Sequence, residues 1–194
     1  MFETKSALQI ALSALALCSL VPTQVSAQDT NSKTTRLLRT LGNFLAPGGY
    51  FPTSSSGRAA LGSAKFYNEL GFFARPITLG KDIKFQYGAE WLRTSDKFFP
   101  FSSSDNYFNL IGPSVRFYKD FSNDMIRPYV DFGLFYGQLR SEKLGFDRSA
   151  FTPSLALGVS VKLGRYLRLS GDYRLTQKIN GIDTSGFGIN LRVN

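Results

Sequence analysis

The chain has 194 residues, 43% of them hydrophobic and 14% aromatic, and carries an excess of nine positive charges. It has no histidine and one cysteine, Cys18, which excludes histidine acid–base chemistry, disulfide scaffolding and ordinary zinc sites. A nucleic-acid binder, a soluble β-barrel and a membrane β-barrel remain, the first because a basic chain attracts anionic partners.

The N-terminus reads as a secretory signal. Lys5 precedes an apolar run from Ala7 to Val21, followed by Pro22 and then Val25, Ser26 and Ala27, the pattern of a short h-region and small residues before a cleavage site. Cleavage is expected after Ala27, removing residues 1–27 and Cys18 with them. The run is shorter than the about 20 apolar residues of a spanning helix, and Leu17 before Cys18 speaks against lipid attachment. The leader takes one charge of each sign, Glu3 and Lys5, so the exported chain stays basic, and export removes the nucleic-acid reading.

Residues 28–34 are expected to be a flexible tail, with the barrel domain spanning 35–194. Thr35 to Leu45 places Leu37, Leu38, Leu41 and Leu45 at spacings of one to four, which reads as either a short amphipathic helix or a poorly alternating first strand. Pro47, Gly48 and Gly49 should break it, and Thr53 to Gly57 reads as a serine-rich loop.

From Ala64 onward apolar and polar residues alternate with period two, the mark of strands with one apolar face. The first strand sets Phe66, Leu70, Phe72 and Ala74 against Tyr67, Glu69, Gly71 and Arg75. The second sets Ile83 to Trp91 against Lys84 to Glu90. In the third, Ile111 to Phe117 oppose Gly112 to Tyr118, and a change of parity near Phe108 predicts a bulge. The fourth sets Ile126 to Tyr136 against Arg127 to Gly137, and the fifth sets Phe151 to Leu163 against Thr152 to Lys162. The sixth sets Leu167 to Leu175 against Arg168 to Arg174, and the seventh sets Phe187 to Val193 against Gly188 to Arg192.

Connections alternate in length. Short turns are expected at Leu79–Asp82, Ser122–Asp124 and Gly164–Arg165, and long polar loops at Thr94–Asn106, Arg140–Ser149 and Lys178–Ser185. Short turns at one end and long loops at the other describe an up-and-down membrane barrel with an even strand number. The eighth strand must come from before Ala64, because a closed barrel leaves no unpaired edge in lipid. Strand length, glycine on the polar face and apolar-face aromatics (Tyr87, Trp91, Tyr136, Tyr173, Phe117, Phe187) favour lipid over a soluble lipocalin-like, lipid-binding barrel.

The runs IGPSVRFY (Ile111 to Tyr118), RPYVDFGLFYG (Arg127 to Gly137) and PSLALGVSVKL (Pro153 to Leu163) resemble the paired strands of small outer-membrane β-barrels of the outer membrane protein A and X type. The resemblance implies an eight-stranded antiparallel transmembrane barrel in a Gram-negative outer membrane, porin-like in architecture. It implies a chain surrounded by outer-membrane lipids and delivered by the outer-membrane assembly machinery, although the aromatic C-terminal residue of that family is replaced by Asn194. Acyltransferases and deacylases of similar size use a histidine, so their activity does not carry over. No enzyme activity, cofactor or metal is expected, and the row Ser170, Asp172 and Arg174 reads as lumen filler.

Inward-facing charges form two expected layers. Arg75, Lys84, Arg116, Arg127, Lys162, Arg168 and Arg192 make a basic rim at the short-turn, periplasmic mouth. Glu69, Glu90, Asp131 and Asp172, joined by Arg174, make a charge network farther along. An eight-stranded barrel is just wide enough for side chains, so a packed lumen and a structural or surface-interacting role are expected of a monomer. External loops, including Phe98, Phe99 and Phe101, would face any extracellular partner and the basic rim any anionic periplasmic one, while those phenylalanines read more readily as a membrane-interface girdle. The alternative is a narrow passive pore whose size would change in Glu90→Ala.

Overall fold

A computed structural model of the chain describes residues 46–97, 104–164 and 167–193. The expected leader, tail and Thr35–Leu45 segment, the phenylalanines 98, 99 and 101, Arg165 and Asn194 lie outside these. The elements run β1 (Ala46–Pro52), α1 (Ser55–Leu61), β2 (Lys65–Phe73), β3 (Ile77–Leu79), β4 (Ile83–Ser95), β5 (Asn106–Lys119), β6 (Ile126–Ser141), β7 (Phe146–Lys162), β8 (Leu167–Thr176) and β9 (Gly186–Val193).

Every neighbouring pair is antiparallel, and β1 closes the sheet by pairing with β2 on one side and β9 on the other. Because β3 continues β2 along the same partner β4, the nine strands form an eight-stranded barrel. The outer face is apolar: Phe72, Tyr87, Ile111, Phe132, Leu134, Tyr136, Phe151 and Leu157 are all exposed, Phe151 at 75%. A fold that leaves such residues outside and buries Glu90 and Asp131 at 1% exposure is inverted relative to a soluble protein, as lipid requires. Trp91, Ile111, Tyr136 and Phe151 are successive cross-strand partners, which puts three aromatics in one row toward the long-loop end.

The closing strand is β1, which contains the Pro47, Gly48 and Gly49 expected to break the chain. Gly48 pairs with both Tyr67 and Asn190, and a Cβ there would run into the Ile189 carbonyl, so glycine lets β9 come close enough to seal the barrel.

The serine-rich stretch is not a loop but the start of α1. Ser54 caps it by accepting from the Gly57 N–H at 2.8 Å, and Gly62, at φ 97°, ends it.

No bulge interrupts β5, whose pairing with β4 runs unbroken from Lys119 to Tyr107. The bulge sits instead between β2 and β3, where Phe73 to Ile77 advances four residues while partners Gly88 to Phe85 advance three. That extra residue ends the alternation at Arg75, which is exposed outside the strand and is not part of the rim.

Finally, the loop expected at Arg140–Ser149 is a tight connection, Glu142–Gly145. β6 and β7 stay paired out to Ser141 and Phe146 although their outward residues there are polar.

Candidate functional site

The lumen has three layers. At the short-turn mouth, Lys84, Arg127, Lys162 and Arg168 converge on two turn carboxylates that the strand pattern did not reveal. Asp120 accepts from Lys84 at 2.7 Å and Arg127 at 2.6 Å. Asp124 accepts from Arg127 at 2.7 Å and Arg168 at 3.1 Å, with Lys162 at 3.3 Å. The turn reaches the mouth because Ser122, Asn123 and Asp124 all adopt positive φ, between 52° and 70°, a conformation Asn and Asp tolerate. The run KDFSND from Lys119 held this signal, since its acids flank residues suited to a tight turn.

Partial burial pushes the Asp120 carboxyl up, but the hydrogen bonds from Arg127 and Lys84 outweigh it and hold the group at about 2, below the ordinary 3.8. Because the folded value is depressed, its stabilisation is present above about pH 4 and is lost as pH falls toward 2. Wild-type barrel is therefore expected to lose stability over that interval more steeply than Asp120→Asn, read as the fraction migrating as folded on an unheated gel. Superimposable acid profiles would remove Asp120 from the account.

The middle layer joins the acids to two arginines, Arg116 and Arg192, that the alternation places at the rim. Arg116 lies here because its long side chain runs up the lumen. It donates to both oxygens of Asp131 at 2.7 and 2.6 Å and to Glu90 at 3.2 Å, and it approaches Glu69 at 3.6 Å. Its guanidinium also faces the rings of Phe73 and Tyr129. Arg192 donates to Glu69 at 2.5 and 2.7 Å, and Asn190 adds a third bond at 2.7 Å. Across the lumen, Tyr129 donates to Asp172 at 2.7 Å. That bridge requires glycine at 158, where a Cβ would sit 2.5 Å from the tyrosine ring. Arg174 is fully buried, donates to Ser154 at 3.3 Å and lies 6.0 Å from the Phe135 ring. It makes no ion pair with a described carboxylate.

The third layer is apolar, although it lies on the face that the alternation marks as polar. Leu92, Phe108, Leu110, Phe135, Leu139 and Ile179 pack with Ala60 and Leu61 of α1 into one cluster. Tyr50 and Tyr67 join it to the charges below, and Tyr50 donates to the Thr184 carbonyl at 2.5 Å. Phe135 lies over Gly133, where any Cβ would collide with its ring. The helix is held in place at its end by Ser141, which donates to the Ala60 carbonyl at 2.8 Å, and at its start by Ser54, which donates to the Asp183 carbonyl at 2.6 Å. Unbroken parity in β5 would have disclosed this layer, since Phe108 and Leu110 share the inward face of Ser114 and Arg116.

Among the described residues no three His, Cys, Asp or Glu side chains are grouped to hold a metal ion. The Ser170, Asp172 and Arg174 row is part of the filled middle layer: all three are buried, and Asp172 is engaged by Tyr129 and Arg174 by Ser154.

Residues 12–194 match the model of a protein family described as outer membrane protein beta-barrel domain. Among solved structures, Neisserial surface protein A is similar at 17% identity, over 77% of this chain and 92% of that one, with a TM-score of 0.43. No curated protein matches significantly.

Proposed function

The chain belongs to the outer membrane protein β-barrel domain family, and from that premise we propose that it is a closed, non-conducting barrel with a structural or surface-interacting role. The observation that carries this is the apolar layer: Leu110, Phe135, Leu139 and Ile179 have no exposed surface, and α1 lies over them. A hydrated ion crossing there would lose its solvent without a polar replacement, a cost that grows steeply in an apolar medium. The ionic middle layer supports the same reading, since Arg116 and Arg192 are engaged with Glu69, Glu90 and Asp131 instead of lining an open path. The turn acids at the mouth offset part of the basic rim, so attraction of anionic periplasmic material rests on the cations left over.

In this proposal the chain is exported by its first 27 residues and inserted as a monomer by the assembly machinery. The connections at the long-loop end, among them Glu142–Gly145, are what a partner outside the cell would meet. Purified protein in planar bilayers is expected to give no conductance steps, and Glu90→Ala is expected to give none either. Reproducible steps from wild-type protein, changed in size by Glu90→Ala, would establish the narrow pore instead.

A further inference from the structure

The outer surface is not uniformly filled. Gly88, Ser114, Gly133 and Ser154 are successive cross-strand partners on β4, β5, β6 and β7, and their Cβ positions point to the lumen, so from outside they present bare backbone. Outward side chains stand on either side of this row: Tyr87, Val115 and Phe132 on one side, Pro113, Leu134 and Pro153 on the other. Between them lies a furrow of about 460 Å³. It crosses three inter-strand steps, about 14 Å at about 4.8 Å each. The compact prolines keep one wall low. Pro113 also lacks a backbone donor, and the ladder between β5 and β6 has no pairs at residues 112 and 113.

We infer that this furrow binds one acyl chain of a membrane phospholipid, more tightly than the rest of the barrel surface holds lipid. The furrow is continuous with the lipid-facing apolar band, and no charged side chain lines it, so its occupant there is hydrocarbon. It begins at Tyr87, four residues from the short-turn end of β4, which places its mouth in the periplasmic leaflet. A chain lying in it is contacted on both flanks and from below, whereas a chain on a convex barrel surface is contacted on one side only. Dispersion contacts are individually small and add with number, and this supplies the preference.

The test is native mass spectrometry of intact barrel recovered into mild detergent from vesicles of dioleoyl-phosphatidylethanolamine and dioleoyl-phosphatidylglycerol. Wild type and Ile189→Phe, whose change lies on the lipid face of β9, are expected to retain one phospholipid. Val115→Phe fills the furrow from one wall and should reduce the retained fraction about tenfold, as a weakening of about 1.4 kcal/mol does. Leu134→Trp fills it from the other wall, and decides the matter if Val115→Phe does not fold. Retention unchanged by the filling variants overturns the site, as does wild type recovered bare or carrying only detergent. Conductance measurements do not bear on it, so the closed-barrel reading and this one fail separately.

Discussion

Arg116→Met is expected to cost about 3–5 kcal/mol of barrel stability, the range for removing one partner of a buried ionic cluster. Among the described residues, Asp131 and Glu90 each have Arg116 as their one ion-pair partner. Both are 1% exposed, so the variant leaves buried Asp131 without its ion pair and Glu90 with only the more distant Arg174 for counter-charge. Glu69 is less affected because Arg192 and Asn190 still donate to it. The loss should therefore be largely recovered in Arg116→Met combined with Asp131→Leu and Glu90→Gln, since replacing a whole buried ionic group by neutral side chains is often nearly neutral. Arg116→Lys should recover little: a single ammonium cannot make the two parallel bonds to Asp131 and still reach Glu90. Urea titration of folded barrel in vesicles measures each difference. A cost below about 1 kcal/mol for Arg116→Met would be the behaviour of a solvent-screened pair and would show the middle layer to be wet enough to need no counter-ion.

The strand pattern revealed most of the barrel because a membrane barrel obeys one rule, apolar out and polar in, at every second residue. β6 to β9 follow it closely, and their inward and outward sets are those the alternation names. It failed where a local chemical reason overrides it. Pro47, Gly48 and Gly49 look like a break, yet β1 needs glycine at 48 because β9 approaches it closely. Arg75 looks inward because the alternation extends past Phe73 through Ala74 and Arg75, where one extra residue turns the chain. The charges were legible as inward-facing but not as layers, since Arg116 bonds to Glu90 above its own level and Asp124 reaches the mouth from a turn. Periodicity locates Cβ directions. It carries no information about where a long guanidinium ends or how a turn of positive-φ residues folds over. Phe108, Leu110, Phe135 and Leu139 were hidden for a different reason: they are apolar residues on the polar face, and only a capping helix above them makes that burial favourable.

In the proposed closed barrel the apolar layer, and not the ionic one, forms the seal, and Phe135→Ala combined with Leu110→Ala tests this. Neither side chain has exposed surface. Phe135→Ala alone should destabilise by about 3–5 kcal/mol and Leu110→Ala by about 2–5 kcal/mol, both readable in the urea titration used for Arg116. The two lie in one cluster, so their costs are not expected to add. If the seal is here, the double variant refolded into planar bilayers should give conductance steps where wild type and Glu90→Ala give none. The sides of the resulting gap would include Gly133 and Gly137, which have no side chains to refill it, and Arg174 beneath would lose the ring it faces. Steps from Glu90→Ala with none from the double variant would reverse the assignment and place the barrier among the charges. Steps from the double variant alone would identify the packing of α1 against β5 and β6 as what keeps an ion-lined lumen closed.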